Sequence, residues 1–380
     1  MSFRAPGVYI EEISARQKPI EGLATSITAF IGLNSCAANS DYRRPIASYE
    51  EYTAIFGECS DMQSHGKVTL INYLGYAVQS FFENGGRKCY IAALPRLNVE
   101  AYREALESLQ TIEEICLVTA PGSSALAEAE ARQVSQLLVD HAETRHYCFA
   151  LLDSPPNASN QQLIHARQSI HSANAALYTP WLIVNDSLRD KDILIPPSGA
   201  VAGVLARVDM NYGVWKAPSN DEVRGIIGFE RYIDNIEQSE LAPRGINVLR
   251  NVTARGYRIW GIRTTSDDEQ WRYVPVKRLA MYIEHSILKG IDWAVFEPNE
   301  EPLWASVQAE ISLFLEKLWR SGAFQGARAT EAYFVRVDRA TMTERDILEG
   351  RMYIEVGFAP LKPAEFVVLR MCLKTKPGHF

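Results

Sequence analysis

The residue types that most often carry chemistry are present, but their spacing does not gather them. Seven histidines stand at His65, His141, His146, His165, His171, His285 and His379, and none falls in a ligand pattern. His165 and His171 are six apart, which puts them on different faces of a helix. There is no H-E-x-x-H and no C-x-x-C, so neither a metal site nor a cofactor is expected.

Nucleophile and phosphate motifs fare no better. Gly122-Ser123-Ser124 lacks the G-x-S-x-G frame of a nucleophile elbow and reads as a loop whose serine caps the next helix. No G-x-x-x-x-G-K-[ST] phosphate loop occurs. Gly199-x-x-x-Gly203 lies where a parallel sheet could bind a nucleotide, but among Ala and Val it reads as a close-packing helix face. Asp153 ends a strand-like run, a favoured functional place in α/β sheets, yet Ser154-Pro155-Pro156 favours a turn role. Asp267-Asp268 and Glu300-Glu301 fall in loop-like stretches, where solvation explains them. An enzyme is therefore not expected; a nucleotide-dependent enzyme on a Rossmann-like middle domain is the alternative. Trp260, Trp271, Trp293 and Trp304 read first as core and second as interface anchors.

Composition narrows the class further. With 380 residues, 47% of them apolar and 22% charged, the chain has the balance of an ordinary globular protein with room for two or three domains. A net charge of -7 speaks against nucleic acid as a partner. No apolar run reaches the ~20 residues of a spanning helix. Arg4, Pro6, Glu11 and Glu12 exclude a signal sequence at the start, so folding in a bacterial cytoplasm, with reduced core thiols, is the expectation.

The elements that would position any site come in three styles. "TSITAFIG" (25–32) is a β-branched core strand, and "SYEEYTAIFG" opens a short helix with Ser48 and Glu51 as a capping box. Leu70, Leu74, Ala77, Val78, Phe81 and Phe82 share one helical face, and "KCYIAAL" follows as a strand. From residue 98 amphipathic helices (99–110, 124–142, 158–173) alternate with the apolar strands "ICLVTA", "YCFALLD" and "WLIV". That alternation predicts βαβ units and an α/β middle domain, its parallel sheet flanked by helices. After residue 240 the order loosens. Strands "INVLRNV", "YRIWGIRT", "WAVF", "AYFVRV" and "MYIEVGFA" mix with helices 276–291 and 302–320, which predicts an α+β domain. The expected divisions are 1–24 (arm and linker), 25–97 (first part of the body), 98–240 (α/β), 241–362 (α+β) and 363–380 (terminal strand).

Both extremes of the sequence are strand-like: "GVYIEEI" with Val8, Tyr9, Ile10 and Ile13, and "EFVVLRMCLK" with Phe366, Val367, Val368, Leu369 and Met371. Such strands either return to the chain's own sheet or join another molecule. Ordering a residue costs ~1–2 kcal/mol while a backbone hydrogen bond returns only ~0.5–1.5 net. A short arm therefore orders only by burying its apolar side chains, at ~1.5–3 kcal/mol each.

Longer stretches carry a resemblance. "PGVYIEEI", "TSITAFIG", "FGE" and "FFENGGRKCYIAAL" are similar to the front half of contractile tail sheath proteins. "PSGAVAGVLARVDMNYGVWKAP", "GINVLRN", "RIWGIRTT", "WRYVPVKRL", "FEPNEEPLW", "GAFQG" and "GFAPLKPAEFVVLRM" resemble the rear half. The resemblance implies a subunit of the helical sleeve around a rigid inner tube, as in contractile phage tails, R-type bacteriocins and extracellular contractile injection systems. It implies a middle domain subtilisin-like in fold without catalytic activity, and a length typical of the short, minimal sheaths. It also implies that the N- and C-terminal β-arms exchange between neighbouring subunits.

The partners so implied are further copies in a helical homo-oligomer of stacked hexameric rings, the inner tube protein, baseplate and terminal cap proteins, and paralogous sheath subunits. Nucleic acid and direct membrane insertion are not implied. The particle would be assembled in the cytoplasm and released as a phage tail or tail-like device. Tube contact is assigned to the charged stretch "TERDILEGR", with Glu344, Arg345, Glu349 and Arg351, or to the 302–320 helix.

Overall fold

A computed structural model describes residues 19–36, 41–58, 62–63, 69–186, 190–361 and 367–374. The first half runs β1 (Thr28–Leu33), α1 (Tyr49–Phe56), β2 (Met62–Gln63), β3 (Thr69–Leu70), α2 (Tyr73–Glu83), β4 (Cys89–Leu94), α3 (Val99–Leu109) and β5 (Leu117–Thr119). Next come α4 (Glu128–Thr144), β6 (Phe149–Asp153), α5 (Asn160–Gln168), β7 (Ala175–Thr179), β8 (Leu182–Asp186), β9 (Lys191–Ile195) and α6 (Ser198–Tyr212). They are followed by β10 (Gly228–Phe229), α7 (Asn235–Leu241), β11 (Ile246–Val252), β12 (Gly256–Ile259), α8 (Val274–Gly290) and α9 (Glu301–Arg320). The chain closes with α10 (Ala329–Ala332), β13 (Tyr333–Arg336), α11 (Glu344–Leu348), β14 (Arg351–Phe358) and β15 (Val367–Lys374).

Seven strands form the central sheet in the order β12-β11-β7-β6-β5-β1-β4, parallel except where β12 returns against β11. The period of two along each strand divides its side chains between two cores. Phe30, Ile91, Phe149 and Tyr178 point into the layer of α2 and α6. Ile31, Ala92, Ala150 and Leu177 point into the layer of α3, α4 and α5, among Tyr102, Leu106, Leu138 and Leu163. Continuous apolar strands are the consequence of burial on both faces.

From Ser198 to Ala206 α6 is buried on every side because it lies under the sheet, against α2. Its Gly199 and Gly203 permit that approach. A Cβ at Gly199 would meet the Ala77 carbonyl oxygen at 2.4 Å, and one at Gly203 the Phe81 carbonyl oxygen at 2.4 Å. The close-packing reading of these glycines agrees with this geometry.

Several local expectations need correction. The strand after α5 is "AALYT" (β7), while "WLIV" contributes to β8 in a separate antiparallel sheet, order β10-β8-β9. The third helix stops at Gln168, short of residue 173, with Ser169 at its C-cap. "WAVF" is a 3-10 turn over Asp292–Phe296. At α1, Ser48 accepts from Glu51 N, but the Glu51 carboxylate reaches back to Ala47 N (2.9 Å), one residue before the expected partner. The central sheet also runs across the boundaries expected at 97/98 and 240/241: β1 pairs with β4 and β5, and β11 pairs with β7.

The C-terminal lobe packs α8 and α9 on a three-stranded antiparallel sheet, order β13-β14-β15. Met352, Ile354, Val356 and Phe358 of β14 are fully buried with Val307, Ile311 and Leu315 of α9, while Tyr353 and Glu355 on the opposite face are half-buried. Among the described residues no helix is long and apolar enough to cross a membrane.

Candidate functional site: an assembly edge and a buried junction

The place that most resembles an active site is the end of β6. Asp153 accepts hydrogen bonds from Ser198 N (2.8 Å) and Ser198 Oγ (2.7 Å), and both residues are buried. α6 begins at Ser198 behind Pro197, which offers no capping side chain, so Asp153 supplies the cap from another strand. This capping role takes the place of the expected turn role. His165 lines the same cleft of about 270 Å³ as Asp153, but its Nε2 lies 3.1 Å from Arg132 Nη2 and 3.3 Å from Glu128 Oε1. Asp153 and Ser198 form a closed structural pair; the serine hydroxyl is spent on the carboxylate and shut away from solvent.

Burial pushes the Asp153 carboxyl up to about 7, against the two Ser198 hydrogen bonds that favour its ionised form. The folded state therefore holds a proton that the unfolded chain releases near its ordinary value of 3.8. The associated stability is fully present below that value and is lost as the pH rises to about 7. Asp153→Asn, which keeps an acceptor for Ser198 N, should flatten the decline in stability across this window. Urea unfolding of both proteins at the two ends of the range checks it.

Other expected roles shift in detail. Neither Ser123 nor Ser124 caps α4: a 3-10 turn over Ser123–Ala125 intervenes, and α4 starts after Ala127 without a side-chain cap. Glu128 and Glu130 in the first turn complement the helix dipole instead. Asp267 is exposed but pairs with His171 Nδ1 (2.6 Å), and Asp268 accepts from Gln270 N. Trp304 is core, donating to Asn299 Oδ1 (2.8 Å), whereas Trp260 is exposed. Cys36, Cys89, Cys116 and Cys148 are free thiols, and the last three are buried.

β14 is the strand to which the terminal segment attaches. Its register with β15 runs from Arg351↔Lys374 to Phe358↔Val367, eight residue pairs without interruption. Val367, Val368, Leu369 and Met371 thus stand on β15, paired with this chain's own β14. Phe366 and the N-terminal Val8, Tyr9, Ile10 and Ile13 lie outside the described residues. The pairing identifies which edge of β14 takes the strand.

The charged stretch near β14 is largely paired within itself. Arg345 binds Glu349 (2.6 Å), and Arg351 binds Asp346 (2.9 Å) as well as Glu349. Glu344 is exposed, and α11 carries a capping box between Thr343 and Asp346. Exposed pairs of this kind are worth only ~0–1 kcal/mol each, so the patch can exchange partners at small cost.

One junction was invisible in the sequence. Asp209, in the last turn of α6, accepts two bonds from the Arg278 guanidinium of α8 (3.0 and 2.6 Å) and one from Thr25 Oγ1 (2.5 Å). Arg278 also donates to the Thr25 carbonyl (2.8 Å), and the side chains of both ions are about 5% exposed or less. An acid at a helix C-terminus opposes the helix dipole, and burial adds to that cost. Arg278 and Thr25 offset both. Removing one member would leave the other charged and unpaired, at ~3–5 kcal/mol. Asp209 and Arg278 stand among other charged residues of the same helices, Arg207 in α6 and Lys277, Glu284 and Lys289 in α8, and nothing local pairs positions so far apart.

Residues 97–265 match the phage tail sheath protein central domain, and residues 266–374 match the phage tail sheath C-terminal domain. The PVC sheath complex of an extracellular contractile injection system, in its contracted state, aligns over 98% of both chains with 31% identity and a TM-score of 0.78. The contracted helical sheath of the anti-feeding prophage aligns over 97% of this chain and 99% of that one, with 33% identity and a TM-score of 0.77. A candidate major tail sheath protein from a prophage of Pseudomonas aeruginosa (strain UCBPP-PA14) is 27% identical over 253 residues. The chain spans 62% of the length of that relative, and the match takes in 66% of this chain. A helix-covered parallel sheet joined to a lobe with an antiparallel sheet defines the class, and the chain belongs to the contractile tail sheath family.

Proposed function

We propose that this chain is the structural subunit of a contractile sheath, polymerising into a helical sleeve around an inner tube and shortening to drive that tube through a target envelope. The observation that carries this reading is the end-to-end correspondence with two contracted sheaths, at 31% and 33% identity. The central domain is read as subtilisin-like in fold and non-catalytic, which its helix-covered parallel sheet supports. The further partners are the inner tube, baseplate and cap proteins and paralogous sheath chains, in stacked hexameric rings assembled in the cytoplasm.

Assembly proceeds by strand exchange. The β14 ladder makes the same backbone bonds whether β15 comes from its own chain or from a neighbour, so swapping loses few contacts and links molecules. The N-terminal segment with Val8, Tyr9, Ile10 and Ile13 adds to a neighbour's sheet in the same manner. Each contact is head-to-tail and does not close on a pair, so repetition generates rings and helices. The extended sleeve is kinetically trapped, and better packing between bodies in the contracted lattice drives shortening. Glu344, Arg345, Glu349 and Arg351, or the 302–320 helix, hold the tube through weak charged contacts.

Negative-stain microscopy of the expressed chain, alone and with its tube partner, tests the proposal: sleeves support it, and a monodisperse monomer at high concentration refutes it. Deleting residues 1–13 should leave a folded, soluble monomer that forms no sleeve. Normal sleeves from that deletion would remove the N-terminal arm from the scheme.

A further inference from the structure

Residues 20–27 connect the N-terminal segment to the body, and they are fastened at every step. Ile20 is buried in the C-terminal lobe against Gly290 of α8, where a Cβ would come within 2.6 Å of it. Gly22 lies against the hydroxyl end of Tyr282, and Leu23 N donates to Ser286 Oγ (3.2 Å), both also on α8. The Ala24 carbonyl accepts from Cys116 Sγ, just before β5. Thr25 then meets Asp209 and Arg278, and three residues later the chain becomes β1, a strand inside the central sheet with neighbours on both sides.

We propose that the buried Asp209–Arg278 pair, with Thr25 bound to it, is the anchorage through which load on the N-terminal segment enters the body of the subunit. The inference rests on the strand-exchange reading for the origin of that load. Ile20 and Leu23 meet tension at residue 19 first, through an apolar contact and a single hydrogen bond to α8; what passes them would, without the junction, run on to Thr28 and pull β1 from between β4 and β5. With it, tension divides between α8 of one lobe and α6 of the other, and both lobes follow the arm as one body. The junction suits this task because bonds from two segments, at Thr25 and Arg278, converge on the carboxylate of a third. Releasing α6 or α8 leaves the other ion buried and unpaired, and releasing Thr25 strips both ions of a hydrogen-bond partner. Thr25, Asp209 and Arg278 are positioning residues for assembly.

The test uses the full-length chain and two variants. Thr25→Val keeps the side-chain shape and the ion pair while removing one bond; Asp209→Asn with Arg278→Met removes both charges together. Hydrogen exchange should quicken at residues 20–26 by about tenfold in the double variant and by less in Thr25→Val, with β6 protection unchanged. Sleeve yield should fall in the same order. Unchanged exchange at 20–26 in Thr25→Val and the double variant alike overturns the anchorage. Faster exchange with sleeves of normal yield and normal resistance to shear overturns the load-bearing role. If the double variant loses β6 protection, it has unfolded globally and Thr25→Val decides. Failure of the arm reading is separate: it would show as normal sleeves after deletion of residues 1–13, whatever the exchange at 20–26.

Discussion

A chain ending at Leu361 should keep its central sheet, lose the order of β14, and form no sleeves. Truncation removes the β15 partner of all eight β14 positions at once, leaving only β13 along Glu355–Phe358, and each ladder hydrogen bond is worth ~0.5–1.5 kcal/mol net. β14 would become a sheet edge whose core-facing side still carries Met352, Ile354, Val356 and Phe358. Such an edge is a template for any free strand of matching pattern. A synthetic segment covering 362–380, added to the truncated chain, should therefore bind and restore protection of the β14 amides. The central sheet has its own two cores, so protection in β6 and β7 should stay at the full-length value. Hydrogen exchange on the truncated chain, with and without the segment, reads both effects, and microscopy reads the third. Normal sleeves from the truncated chain would end the role assigned to the C-terminal strand.

Valine at Gly203 or at Gly199 should destabilise the body by roughly 2–4 kcal/mol each, through the helix pair rather than through any arm. At Gly203 the new Cβ meets the Phe81 carbonyl oxygen at 2.4 Å and Asn84 Cβ at 2.6 Å; at Gly199 it meets the carbonyl oxygen and Cα of Ala77. These obstacles are mostly backbone, which cannot swing aside as a side chain can. α2 and α6 must separate, and the layer holding Phe30, Phe81, Val201 and Leu205 loosens with them. Thermal unfolding should begin several degrees lower for either variant, and alanine should shift it in the same direction by less. Gly256 supplies a contrast. Unlike the two helical glycines it carries a positive φ (76°), and it has open space around it, so alanine there costs only backbone strain, about 1 kcal/mol. A Gly203→Val melting temperature equal to that of the wild type would refute the tight-approach account.

The elements with long, regular patterns were legible in the sequence because their cause is local. α3 and α8 show one apolar stripe, and β1, β4 and β6 show unbroken apolar runs, since each element must bury a stripe or two faces. The errors fall where one pattern fits two outcomes. "AALYTPWLIV" is a nearly continuous apolar stretch, yet it makes two strands in two different sheets on either side of Pro180. "WAVF" looks like a strand but lies in a short connection between α8 and α9, where Ala294 is buried and Phe296 is 73% exposed. The glycine spacing of α6 was readable as a packing face, whereas the helix it faces was not.

By itself the sequence determined the helix-and-strand alternation, the family and the strand at 367–374, because composition, periodicity and ordered motifs are properties of neighbouring residues. The tertiary structure alone decided that β1 and β4 enter the same sheet as β5, that Asp153 caps α6, and that the terminal strand fits one edge of β14. It alone brought Thr25, Asp209 and Arg278 together from three distant segments. A buried ion is tolerated only where other segments supply a counter-charge or acceptors for its hydrogen bonds, and which segments do so is a fact of packing that no local stretch of chain contains.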